Sequence, residues 1–228
     1  MSVQILHRDD LPLGGFAGLI EHRLVRDGRI GGDDGTWDGL GNFVYLADAR
    51  FLPKGQTNKH PHKEIDVISV VVEGRIIHEG SLEHGQSMKT DQAQAQRAGG
   101  EGFSHNEINP DDEKNRMIQL WVLPETPDEP AAYKLYDLRH GEMTRIYGGA
   151  KNQTETLDSH TIMEVGMLSA DQEIRRKGEF LAYVTRGIGR LNGKDVKDGD
   201  LVRGDNLTFK AASDVQIIVV TTEKSESK

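Results

Sequence analysis

The chain has 228 residues, 36% of them apolar and 29% charged, the proportions of a folded globular protein with room for one large core or two smaller ones. A formal charge of -9 argues against broad contact with a nucleic-acid backbone, whose affinity for proteins comes from clustered Lys and Arg. The absence of cysteine excludes disulfides, thiolate metal sites and cysteine nucleophiles, so histidine and carboxylate are the ligands available to a metal.

No apolar run approaches the roughly 20 residues of a membrane span, and residues 1–10 lack the basic-then-apolar order of a signal peptide. A cytoplasmic protein with no membrane contact is the expectation. Residues 1–25 place Phe16, Leu19, Ile20 and Leu24 too loosely to separate a short helix from an extended segment. Residues 27–41 are dense in glycine and aspartate, costly to order, and read as a long surface loop. Asp33, Asp34 and Asp38 within it lack the spacing of an EF-hand. Residues 42–52 read as a strand, closed by Pro53 and Gly55 as turn residues.

His60-Pro61-His62 follows. On an extended segment, residues two apart share a face, so both imidazoles aim at one point. Residues 65–72 form a near-continuous, β-branched apolar run, the pattern of a strand buried on both faces. Further strand-like stretches lie at 75–78, 92–97 and 117–123, separated by glycines. Between the last two, His105-Asn106-Glu107 repeats the design of the first pair, so two strands could offer three imidazoles and one carboxylate to a single cation. Residues 125–130 hold two prolines and three acids, cannot join a ladder, and read as the link to a second unit. The expected domains are 1–130, which binds metal, and 131–228, which does not. Beyond the link, 161–168, 180–185, 190–192 and 215–222 again read as strands, and 187–193 as a hairpin turn in preference to a dinucleotide loop. Short strands with glycine-rich turns throughout indicate an all-β sandwich or barrel. His22, His78, His84, His140 and His160 have no partner at ligand spacing and read as surface or hydrogen-bonded core residues; Phe43 and Trp121 read as core.

His60-Pro61-His62-Lys63, the buried strand ending in Gly74, the hairpin around His78, Gly100 to Glu107 with its Gly-x-Gly-Phe-Ser-His-x-Glu pattern, and 119–125 together resemble the pirin family of the cupin superfamily. The resemblance implies a bicupin, two jelly-roll β-barrel domains in one chain. It implies one metal in the N-terminal half, iron foremost, held by His60, His62, His105 and Glu107. The residues alone leave manganese, nickel, copper and zinc open. Four protein ligands leave two positions of an octahedron for substrate and O2, with Glu107 the candidate base. Several bacterial members oxidise quercetin, so the resemblance implies a dioxygenase of a quercetin-like flavonol or polyphenol. The alternative is a metal- or redox-sensing regulator that docks on a protein partner without turnover. The sequence departs from the family at Asp66, where glutamate is frequent, and near the N-terminus, where only Gly15-Phe16 echoes an aromatic stretch.

Overall fold

The computed structural model describes residues 3–82 and 85–223; His84 and residues 224–228 of the polar tail, which the sequence suggests is frayed, lie outside the described residues. In chain order the strands are β1 (Gln4–His7), β2 (Gly14–Phe16), β3 (Leu19–Arg26), β4 (Phe43–Phe51), β5 (His60–His62), β6 (Asp66–Glu73), β7 (Arg75–Gly80), β8 (Gln86–Lys89), β9 (Gln92–Arg97) and β10 (Phe103–Ile108). They continue with β11 (Arg116–Val122), β12 (Ala132–Asp137), β13 (Met143–Gly149), β14 (Ser159–Leu168), β15 (Glu173–Arg186), β16 (Ile188–Leu191), β17 (Lys194–Lys197), β18 (Asp200–Ala211) and β19 (Val215–Thr222). Two short 3-10 turns, Arg8–Asp10 and Gly28–Ile30, are the helical elements among the described residues. The all-β expectation holds. No helix among the described residues is long and apolar enough to cross a membrane.

The chain divides into two compact units. The first, called here the site unit, comprises Leu11–Asp38 and Asn42–Asp137. It contains a seven-stranded sheet ordered β12-β9-β6-β11-β4-β3-β2 and a four-stranded sheet ordered β5-β10-β7-β8. The second unit takes the described parts of Met1–Asp10, Gly39–Gly41 and Leu138–Lys228, and holds one sheet ordered β13-β14-β19-β15-β18-β16-β17 with β1 paired to β18. Its core is a cluster including Phe180, Val184, Leu207, Phe209 and Ile217.

The boundary expected at residue 130 is corrected on both sides. β12 continues the site unit's large sheet through its pairing with β9, because main-chain ladder bonds carry it there despite the prolines before it. The first ten residues belong to the other unit, because β1 pairs with β18 from Gln4↔Arg203 to His7↔Asp200.

Within the site unit, β4 and β6 are buried along almost their whole length, as their apolar runs require. The loop at 27–41 is more ordered than its composition suggests. Asp27 is nearly buried and caps the turn Gly28–Ile30, accepting from the Arg29 backbone N–H at 2.9 Å and the Arg29 Nε–H at 2.8 Å. Between the two sheets, one apolar cluster holds Phe51, Val71, Ile76, Met88 and Met117, and another holds Val67, Ala98 and Phe103 with Trp121 packed against it.

Register fixes what else faces the interior. Arg23, Ala47, Gln119, Ser69 and Gln94 stand in one cross-strand row over β3, β4, β11, β6 and β9, and Arg26, Tyr45, Trp121, Val67 and Gln96 stand in the next. Residues 23 and 26 would face opposite ways on a regular strand. A bulge between Arg23 and Val25 adds one residue to β3 and returns Arg26 to the face of Arg23.

Candidate metal centre

The small sheet delivers the imidazoles. β5 and β10 are antiparallel with His105 directly opposite His60 and Phe103 opposite His62, so the alternation of side chains places His60, His62 and His105 on one face. Their Nε2 atoms converge: those of His60 and His62 lie 3.0 Å and 3.1 Å from Nε2 of His105. Ligand atoms of these three residues all lie within 4.8 Å of one another. Two ligands held about 2.1 Å from one ion and about 3.0 Å apart subtend close to 90°, the edge of an octahedron, whereas a tetrahedral pair would stand about 3.4 Å apart.

Protonation state matches. His60 Nδ1 lies 2.9 Å from the Asn58 carbonyl oxygen, which can only accept; Nδ1 therefore carries the hydrogen and Nε2 presents its lone pair to the cluster. Burial, then the neighbouring His60, pushes the His62 imidazole down to about 4, and burial with the other histidines holds His105 well below the usual range. Neutral imidazole is the form that binds metal.

Glu107 follows His105 by two residues, shares its face and is fully buried. Its oxygens lie outside the three-imidazole cluster. Oε1 is 3.5 Å from the Ser69 hydroxyl, Gln119 donates a further hydrogen bond, and Oε2 has no hydrogen-bond partner among the described residues. Burial pushes the carboxyl up to about 7. A buried carboxylate oxygen without a partner among the described residues, two positions along β10 from His105 in a cluster of three converging imidazole nitrogens, gives a donor set that fits a transition-metal cation.

One residue escaped the spacing argument. His78 on β7 stands opposite Glu107 in the register, is fully buried, and has its ring 4.9 Å from that of His105. Its Nε2 is 3.4 Å from Gln96 Nε2, and Gln96 joins Gln94 and Ser69 in a buried polar chain leading to Glu107. His78 has no histidine or carboxylate two positions away to signal this; only the pairing of β7 with β10 brings it in. The other histidines stand elsewhere: His22 Nδ1 faces the Leu11 carbonyl at 3.1 Å, while His140 and His160 are exposed. Asp66 is buried and accepts from Arg97 Nε at 3.2 Å.

A cavity of about 380 Å³ opens beside the imidazoles. His60, Pro61, His62, Thr57 and Gln119 line it together with an apolar wall of Trp121, Tyr45, Phe16 and Ile30; Glu21, Arg23 and Arg26 complete it. Trp121 stacks on Tyr45 at 4.2 Å and meets His62 edge-on at 5.9 Å, so it is a wall of the pocket as well as part of the core.

Three converging imidazoles on the small sheet of a two-sheet all-β unit fit the cupin class. The family model described as Pirin matches residues 40–122, a span from the strand before the first histidine pair through Trp121. The chain is similar to a quercetin 2,3-dioxygenase of Escherichia coli (strain K12), with 33% identity over 62% of this chain and 64% of that one. Its backbone matches the crystal structure of YhhW from Escherichia coli over the full length of both chains, with a TM-score of 0.84 and 15% identity. The structure of bacterial pirin YhhW in complex with nickel(II) matches with a TM-score of 0.83 and 17% identity, over 96% of this chain and 98% of that one. Residues 40–122 thus match the pirin family model, and the fold of the chain is the all-β bicupin of the bacterial pirins.

Proposed function

We propose that this chain is a metal-dependent dioxygenase of the quercetin 2,3-dioxygenase type, taking a quercetin-like flavonol or other small polyphenol and O2. The observation that carries the reading is the convergence of three imidazole Nε2 atoms, two of whose rings, His60 and His62, line an aromatic-walled cavity. The metal, iron foremost in this reading, would be held by His60, His62, His105 and Glu107, and when bound supplies a Lewis acid with open positions and access to one-electron chemistry with O2. The site belongs to the site unit alone, so one ion per chain is expected.

The chain's own residues do the rest. Trp121, Tyr45 and Phe16 take the ring of the substrate and exclude water from its face. Glu107 Oε2, buried and without a partner among the described residues, accepts the proton of the substrate hydroxyl. Ser69 and Gln119 hold Glu107 Oε1 and fix its orientation during the transfer. The relatives named for quercetin support this reaction class; the nickel complex of YhhW supports a cation in this fold.

The test is metal content per chain, by plasma mass spectrometry on protein without a histidine tag, with O2 uptake on adding quercetin. One equivalent of a transition metal, lost in His105→Ala, and one O2 consumed per quercetin over many turnovers are expected. A metal-replete protein that consumes no O2 with any catechol or flavonol would replace the enzyme with a regulator that binds a protein partner.

A further inference from the structure

The wall of the cavity away from the imidazoles is cationic. Arg23 and Arg26 both face it, and both do so because of the bulge in β3. Arg23 is committed: its Nε–H donates to the buried carboxylate of Glu21 at 2.7 Å, which also accepts from the Tyr45 hydroxyl at 3.3 Å. Arg26 is not. Its ion-pair contact is Nη1 to Asp33 Oδ2 at 3.5 Å, between side chains 35% and 46% exposed, too long and too wet to use up a guanidinium with five donors.

The order of groups along the wall is set by register. Trp121, Tyr45 and Arg26 stand directly across from one another on β11, β4 and β3, and the His62 ring meets Trp121 edge-on. Trp121 to Arg26 is two strand spacings, about 10 Å. A ligand that fills the row has oxygen donors at the imidazole end, an aromatic ring against Trp121 and Tyr45, and an anion at Arg26. Cavities that hold small ligands start at about 300 Å³, so one ring with a short acidic arm fits the space.

We propose that the pocket takes an aromatic carboxylic acid with vicinal hydroxyls, the carboxylate received by Arg26 in the bidentate geometry a guanidinium offers. The inference rests on the proposed function for the orientation of the ring and goes beyond it in naming the anion. Asp33 competes with the incoming carboxylate for Arg26.

The experiment is calorimetric binding of caffeate (3,4-dihydroxycinnamate) and of its neutral methyl ester to the protein as purified and after dialysis against chelator. The probes share the ring and its hydroxyls and differ at the end facing Arg26, where the ester carries a methyl group in place of the charge. Caffeate is expected to bind about tenfold tighter than the ester, the scale of one charge-assisted hydrogen-bonded pair. That ratio should fall to near one in Arg26→Gln, recover in part in Arg26→Lys, and rise in Asp33→Asn, with metal content unchanged in all three. Because the ratio is read as binding, it should survive loss of the metal even as both affinities drop. Equal binding of the two probes to the wild type, a ratio indifferent to Arg26→Gln, or no binding of either would overturn the inference. Quercetin-dependent O2 uptake alongside equal binding would leave the dioxygenase reading standing and remove only the carboxylate.

Discussion

Buried charge is concentrated in a few side chains whose partners decide its cost. Asp48 is fully buried and accepts from Arg116 Nε at 2.9 Å and from Arg50 at 3.2 Å. Asp48→Ala leaves the Arg116 guanidinium inside without that carboxylate, and the expected loss is about 3–5 kcal/mol, read as a shift in the urea midpoint at constant slope. Gln119 acts through Glu107. Gln119→Leu removes a donor to the buried carboxylate, and metal affinity measured by competition with a chromophoric chelator should fall about 10–100-fold, while the urea midpoint of the metal-free protein changes little. The four proposed ligands were legible at this scale because alternation on a strand is a local property: His60 with His62, and His105 with Glu107, needed only period two. His78 and Arg26 were not, since the first depends on pairing with β10 and the second on an extra residue accommodated by β4.

Turns and bulges hold the elements at the angles the site needs. Gly99 lies in the connection before β10, at φ 55°, and a Cβ there would stand 1.8 Å from the Glu129 carbonyl oxygen. Its own carbonyl accepts from the Glu64 backbone N–H at 3.1 Å, close to the end of β5. Gly193 is the opposite case: with Asn192 it forms the two-residue turn between β16 and β17, at φ 45° and 82°, and a Cβ would meet nothing within 4 Å. Gly193→Ala should cost only the left-handed backbone penalty, about 1–2 kcal/mol, with metal content intact. Gly99→Ala should cost more and lower metal affinity, because the connection that aligns β10 with β5 must move; thermal melts and metal titration of both variants check the contrast. Strands β4, β6, β9, β11, β14 and β19 were readable from apolar or alternating runs. β3 hid behind its bulge, and β18 behind Gly204, Asp205 and Asn206 in its middle, where the pairing with β15 is irregular. Such strands are specified by their neighbours more than by their own residues.

At the scale of the molecule, the two tryptophans, Trp37 and Trp121, both lie in the site unit. Intrinsic fluorescence therefore reports on the unit proposed to hold the metal. A ligand at 100 times its dissociation constant stabilises its host by about 2.7 kcal/mol. Chelation should lower the fluorescence-detected melting midpoint by several degrees, and readdition of the metal should restore it; a midpoint indifferent to chelator would show that the ion is not coupled to the folding of this unit.

The pairing of β1 with β18 bears on how the polypeptide emerges from the ribosome. His7 and Asp200, whose side chains meet at 2.6 Å, are 193 positions apart. At about 5–20 residues per second, roughly 10–40 s separate the appearance of one from the other. During that interval the site unit has all of its own strands available, whereas β1 has no partner until β18 is translated. Vectorial synthesis thus favours completing the site unit first, with β1 held as a waiting edge strand until β18 arrives to close the ladder.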